Sequence, residues 1–171
     1  MDDLLFNQAD SEYNNGNFEK AFELFLKAAE NGDDSAMDRI ASMYDAGEGV
    51  DFDFDKAIYW YQKAVEAGSV TSLYNLGISY RSKGDVLKAK YWFEKALAAG
   101  DFDAALELAK LHMLCEAEQE KVIFYLKKCL QGNNLFECTR KEAIDILEGF
   151  EKGSKRNKAR QMGIWTNNKL S

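Results

Sequence analysis

The chain has 171 residues, and its 22 Lys and Arg against 29 Asp and Glu leave a formal net charge of −7. That length suits a single hydrophobic unit, and the acidic balance argues against a nucleic-acid binder, whose hold on phosphate rests on positive charge. Proline is absent although average usage of about 5% would supply eight or so, so residues that break helices are avoided throughout and an all-α chain is expected.

The N-terminus, Met1-Asp2-Asp3-Leu4-Leu5-Phe6, has neither the basic start nor the apolar run of a signal peptide, and no window approaches 18 consecutive apolar residues. A cytoplasmic protein is expected. Cys115, Cys129 and Cys138 form an odd set in the C-terminal third, which suits reduced thiols better than a disulfide framework.

The chain then repeats itself at a period of about 32 to 36 residues, the range of stacked two-helix units. Lys20-Ala21 with Lys27-Ala28, Lys56-Ala57 with Lys63-Ala64, and Lys88-Ala89 with Lys95-Ala96 share one seven-residue spacing, and Lys121-Val122 with Lys128-Cys129 is a degraded fourth copy. Four units follow, at about 1 to 34, 35 to 70, 71 to 102 and 103 to 134. Each ends in a glycine, Gly32, Gly68, Gly100 or Gly132, suited to a left-handed helix stop, and the next residue, Asp33, Ser69, Asp101 or Asn133, suits an N-cap.

Small and large residues alternate on the helical faces expected to meet. Ala57, Trp60 and Ala64 stand at i, i+3 and i+7, and Ala89, Trp92 and Ala96 repeat them, so both tryptophans are expected between stacked helices. On the preceding helices Ile40, Ala41 and Tyr44 return as Leu76, Gly77 and Tyr80, then as Leu108, Ala109 and His112. A fifth helix, about 135 to 150, is expected to cap the last unit with Ile144, Ile146, Leu147 and Phe150. From Lys152 on, six basic residues (Lys152, Lys155, Arg156, Lys158, Arg160 and Lys169) occur with no acidic one, so the body, 1 to 151, is more acidic than the net charge suggests and 152 to 171 reads as a basic tail.

The run Ala36, Ile40-Ala41, Tyr44, Gly47, Gly49-Val50, Asp53, Lys56-Ala57, Trp60-Tyr61, Lys63-Ala64 and Gly68 resembles the Sel-1-like repeat, a relative of the tetratricopeptide repeat. The other units lack the loop with Gly47, Gly49 and Val50 and look more like tetratricopeptide repeats; the resemblance covers roughly 1 to 134. It implies a right-handed α-solenoid whose first helices line a concave groove, acting as an adaptor or scaffold and not as an enzyme, with no cofactor.

Motifs that carry chemistry are weighed against packing. Asp51, Asp53 and Asp55 alternate with Phe52 and Phe54, but Lys56 and Gln62 stand where a calcium loop needs glycine and glutamate; a helix-capping loop is expected. His112 and Cys115 have zinc-ligand spacing without a second close pair, and His112 falls where Tyr44 and Tyr80 stand, so packing without metal is expected. Gly47-Glu48-Gly49 lacks the lysine of a phosphate loop.

In the groove the non-core positions are Asn7, Ser11 and Asn14, then Asp38, Ser42 and Asp45, then Thr71, Tyr74, Ile78 and Arg81, and last Asp103, Leu106, Lys110 and Met113. From these the candidate partner-binding set is Asn14, Asp38, Ser42, Asp45, Tyr74, Ile78, Arg81, Lys110 and Met113. An aromatic beside an arginine is the kind of pair that dominates binding energy. The expected function is protein or peptide binding by a monomer in a bacterial cytoplasm. The sharper alternative is an immunity protein whose acidic body neutralises a basic toxin, and the next is a regulatory or membrane-associated adaptor using Met162, Ile164 and Trp165 of the tail.

Overall fold

In a computed structural model of the chain, residues 3–114, 119–133 and 135–161 are described, and among them every regular element is a helix. The chain divides into two compact units, Met1–Asp101 and Phe102–Ser171. The first holds α1 (Asp3–Asn14), α2 (Phe18–Glu30), α3 (Asp34–Ala46), α4 (Phe54–Ala67), α5 (Thr71–Ser82) and α6 (Val86–Ala98). The second holds α7 (Asp103–Met113), α8 (Gln119–Cys129) and α9 (Glu137–Gln161). The fold is an α-solenoid of helix pairs: α1 packs on α2, α3 on α4 and α5 on α6, with α2 against α3 and α4 against α5 joining one pair to the next.

The sequence reasons for the pairs are visible in the contacts. Asp53 precedes α4, and its Oδ1 accepts from the backbone N–H groups of Asp55 and Lys56 at 3.0 and 3.1 Å. These bonds, the one from Lys56 foremost, hold the Asp53 carboxyl below its ordinary range. Lys56 in turn pairs with Asp53 at 3.6 Å and lies 5.1 Å above the Tyr44 ring. Asp85, Lys88 and Tyr80 repeat this arrangement at 3.3 and 5.0 Å. The recurring lysine therefore ties the start of α4 and of α6 to the tyrosine of the helix before it, and the alanine beside it, Ala57 or Ala89, is fully buried. Of the three aspartates, Asp53 caps α4 as expected of this loop, while Asp55 stands in the first turn of the helix and pairs with Lys83.

Asp33 caps α3 by accepting from the Ala36 N–H at 3.0 Å, and Gly32, Gly68 and Gly100 take left-handed backbone as expected. Ser69 reaches the Ser72 N–H at 3.3 Å, one residue ahead of the formal cap of α5. The fourth junction departs from expectation. Gly132 does not have positive φ; it is small because a Cβ there would meet the Phe102 side chain at 2.6 Å. Asn133 is not a cap either, since α9 begins at Glu137.

The core corrects the tryptophan assignment. The fully buried large side chain of each second helix stands at i+4 from the alanine, or from Val122 in its place on α8, not at i+3: Phe25 after Ala21, Phe93 after Ala89 and Leu126 after Val122, with Tyr61 nearly so after Ala57. Trp60 and Trp92 are half-buried. Trp60 covers the flank of the core formed by Ala21, Phe25, Ala28, Ile40 and Met43. On α5, Gly77 allows the Phe93 ring to lie against the helix backbone, since a Cβ there would come within 2.4 Å of the ring.

In the second unit α7 is buried along most of its length, and α9 packs on α8 and α7. The buried stripe of α9 is Ala143 with half-buried Ile146, Leu147 and Phe150, while Ile144 faces solvent, which shifts the expected register. The helix runs unbroken through residue 151 to Gln161, past the composition change at Lys152. His112 is buried and stacks on Tyr125 with ring centroids 5.3 Å apart. Cys129 is buried, and burial pushes its thiol up to about 11; Cys138 is exposed. Cys115 and the tail residues Met162, Ile164 and Trp165 lie outside the described residues. No helix among the described residues is long and apolar enough to cross a membrane.

Candidate partner-binding face

The first helices of the first unit, α1, α3 and α5, carry most of the residues expected to bind a partner, and side chains link one to the next. Between α1 and α3, Arg39 pairs with Asp10 at 3.1 Å and lies 5.3 Å above the Tyr13 ring. Tyr13 donates to Glu48 Oε2 at 2.5 Å, and this bond raises the Tyr13 phenol above its ordinary range. Asn14 is exposed and donates to Asp10 at 3.0 Å.

Between α3 and α5 the links fall at one repeat length. Asp38 accepts from Ser72 Oγ at 2.5 Å and from Asn75 Nδ2 at 3.1 Å, and Asp45 Oδ2 accepts from Ser79 Oγ at 2.8 Å. Ser72 and Ser79 are fully buried. Two aspartates seven residues apart on α3 thus meet two serines seven residues apart on α5, each pair separated by 34 positions. Asp38 and Asp45 stand on the expected helices, but they serve first to lock adjacent repeats together.

Asp45 is the costly member of this seam. Its Oδ1 is buried without a hydrogen-bond partner, and desolvation raises its carboxyl above the ordinary aspartate value, against the bonds from Ser79 and Tyr61. Burial, with the charges of Asp45 and Asp38 beside it, likewise raises the Tyr61 phenol, and Ser42 bonds to that phenol. A carboxyl whose folded-state pKa is raised weakens the fold when ionised, and the penalty vanishes once pH falls below the unfolded-state value near 4. Asp45→Asn is therefore expected to melt above the parent at pH 7, with the gap closing as pH approaches about 4. Thermal melts by circular dichroism across that range decide it, and a gap independent of pH removes Asp45 as the cause.

The remaining residues separate into two groups. On α5, Thr71 is exposed, Ile78 and Arg81 are half-exposed, and Tyr74 is half-buried with its ring 5.6 Å from Phe93, so Tyr74 belongs partly to the core. Lys110 and Met113 lie in the second unit. There Lys110 bonds to Glu107 at 3.2 Å and to Glu142 at 2.9 Å, Met113 is exposed, and Leu106, expected on the groove, is buried. Sequence reasoning missed Asp10, Arg39, Ser72, Asn75 and Ser79. The equal spacing of Asp38 with Asp45 and of Ser72 with Ser79 was the available signal. At the N-terminal end of α3, a polar recess of about 460 Å³ is lined by Phe6, Asn7, Asn31, Gly32, Asp33, Asp34 and Ser35.

The Sel1 repeat profile matches residues 12–33, 34–69 and 70–101. The chain belongs to the Sel1 repeat family. The pair α7 and α8 lies beyond the Sel1 matches, although the helical pattern continues through it. A Sel1 repeat protein from Oxalobacter formigenes is similar at 27% identity and TM-score 0.62, over 75% of this chain and 56% of that one. The protective antigen c5321 of uropathogenic Escherichia coli is similar at 23% identity and TM-score 0.63, over 75% of this chain and 30% of that one. This chain thus spans about half the length of the first and under a third of the second. The immunity protein Pa5087 from Pseudomonas aeruginosa is similar at 27% identity and TM-score 0.50, over 73% of this chain and 53% of that one. No curated protein sequence matches the chain. Sel1 repeats typically mediate protein–protein interaction and are generally not enzymes.

Proposed function

We propose that this Sel1 repeat protein is a non-enzymatic interaction module that holds a partner protein or peptide on the face formed by α1, α3 and α5. The observation that carries this reading is the side-chain seam across three consecutive first helices, Asp10 with Arg39, Asp38 with Ser72 and Asn75, and Asp45 with Ser79. A surface fixed before the partner arrives loses less entropy on binding. Ile78 and Arg81 then serve as contact residues, with Asn14 and Ser42 as polar neighbours. Because Tyr74 leans on Phe93, Ile78→Lys and Arg81→Glu are the better probes. Each is expected to weaken capture of the native partner by about tenfold or more, mainly through faster dissociation, while the helical circular dichroism spectrum is unchanged. Surface plasmon resonance against the partner recovered from native lysate measures it. Parental kinetics in both variants would move the site off this face.

The likeness to the immunity protein Pa5087, together with the acidic body, favours one sharper reading, neutralisation of a basic toxin in a bacterial cytoplasm. Such a complex forms by electrostatic steering, so its association rate falls steeply as salt rises. An adaptor that binds through an apolar contact keeps its association rate across the same salt range.

A further inference from the structure

The packed stripe of α9 ends before the helix does. Ala143 is buried and Ile146, Leu147 and Phe150 are half-buried, with α9 against α8 and α7, while residues 151–153 are exposed and the helix runs on to Gln161. In that continuation the register of the stripe falls to Gly153, Ser154, Asn157 and Gln161, which supply no apolar face to pack. The basic residues take the other side. At about 3.6 residues per turn, Lys152, Lys155, Arg156 and Arg160 share an arc of about 140° centred roughly opposite the stripe from Ala143 to Phe150, with Lys158 off that arc.

Most of this charge has no acidic neighbour along the helix. Lys152 pairs with Glu148 at 2.8 Å and Glu151 stands one turn before Lys155, but no acidic residue lies within four positions of Arg156, Lys158 or Arg160. Like charges at i and i+4, here Lys152 with Arg156 and Arg156 with Arg160, oppose helix formation. The helix dipole favours cations in the last turn, which accounts for Lys158 and Arg160 and not for the three before them. The fold therefore does not explain the stripe, whereas an anionic surface laid along it relieves its repulsion. The next ten residues lie outside the described ones; in sequence they contain Met162, Ile164, Trp165 and Leu170 and no acid.

We infer that the C-terminal half of α9 docks the protein on an anionic phospholipid surface through Lys152, Lys155, Arg156 and Arg160, independently of the face of α1, α3 and α5. A polybasic helix followed directly by apolar residues and a tryptophan supplies the two signals that hold a peripheral protein, headgroup charge and interfacial burial. The protein lies on the bilayer and does not cross it, since no helix among the described residues is long and apolar enough. Because the packed and basic stripes are on opposite sides of α9, about one helix diameter, roughly 10 Å, separates the lipid from α7 and α8. That exceeds the screening length of about 8 Å at physiological ionic strength, so the acidic remainder of the chain is largely hidden from the anionic surface.

The test uses the full chain and co-sedimentation with vesicles of phosphatidylcholine alone or with about 30% phosphatidylserine. Binding is expected to the anionic vesicles, at least about tenfold more tightly than to the neutral ones, and to weaken as salt rises. Changing Lys155, Arg156 and Arg160 together to Glu is expected to weaken it at least about a hundredfold, with a melting temperature within about two degrees of the parent's because the sites are not in the core. Arg156→Glu alone should cost more binding than Lys158→Glu, which lies off the stripe. Anionic vesicles should shift the parent's tryptophan emission to the blue, and Trp165→Ser should lose that shift. Ile78→Lys is expected to bind vesicles like the parent, which separates this site from the face proposed above. No binding to anionic vesicles, equal binding to neutral ones, or equal losses in Arg156→Glu and Lys158→Glu would overturn the inference. So would a polyglutamate peptide or single-stranded RNA that binds more tightly than the vesicles, or self-association that Arg156→Glu abolishes, because the occupant would then be an acidic protein, a nucleic acid or a second copy of the chain.

Discussion

Phe93→Ala is expected to lower stability by about 3–5 kcal/mol and Phe25→Ala by a similar amount, because each empties a fully buried position between helices. Trp60→Ala and Trp92→Ala, despite the larger side chain removed, are expected to cost about 1–3 kcal/mol, since water already reaches part of each ring. Urea melts of the four variants give the order directly, and tryptophan variants as damaging as the phenylalanine ones would put the indoles in the core. The cause can be isolated at Gly77. In the parent, Gly77→Ala drives a Cβ into the Phe93 ring and is expected to cost about 1–3 kcal/mol; in a Phe93→Ala background that obstacle is gone. The two changes should therefore be non-additive by more than about 1 kcal/mol, as expected for residues in direct contact.

The tryptophan assignment shows where periodicity stops being informative. At about 100° per residue, the alanines at i and i+7 lie nearly in line, and the residues at i+3 and i+4 fall about 50° to either side of that line. The helix alone gives no reason to bury Trp60 over Tyr61 or Trp92 over Phe93. Gly77, opposite Phe93, makes the choice, and that contact depends on how α5 crosses α6. What the repeat did carry was the number and pairing of helices in the first unit, the stops at Gly32, Gly68 and Gly100, and the caps at Asp33 and Asp53. These are local features, set within a turn or two of chain.

The candidate face was legible as positions and not as states. Asp38 and Asp45 are where the register puts them, yet a serine on an otherwise apolar face reads as a small packing residue. Whether Ser72 and Ser79 donate to those aspartates depends on the axial stagger of α3 against α5, which the spacing of 34 permits but does not impose. At the fourth unit the same reasoning failed for a different cause. The pattern of its predecessors makes Gly132 a helix stop, whereas it is small because Phe102 crosses it.

Gly49→Ala is expected to be the most damaging single methyl added to the Sel1 loop between α3 and α4. Gly47 and Gly49 both have φ of +70°, so an L side chain at either is strained by about 1–2 kcal/mol. Their surroundings differ. A Cβ at Gly47 meets the Phe52 Cβ at 3.4 Å, an ordinary contact, whereas at Gly49 it falls 2.5 Å from the carbonyl carbon of Phe18 and 2.8 Å from the Glu19 nitrogen. Those are backbone atoms at the start of α2 and cannot rotate aside, so the loop must lift. Lifting it withdraws Val50 from the core around Phe25 and Ile40, and moves Glu48 away from the Tyr13 hydroxyl. Strain and displacement together are expected to cost about 3–5 kcal/mol for Gly49→Ala, against about 1–2 kcal/mol for Gly47→Ala. Thermal and urea melts of the pair measure the difference. Because Tyr13 and Glu48 join α1 to the loop beside α3, Gly49→Ala should also loosen the first repeat before the third, seen as faster amide exchange in α1 and α2 than in α5 and α6. Equal losses in the two variants would mean that the approach to Phe18 is not what reserves this position for glycine.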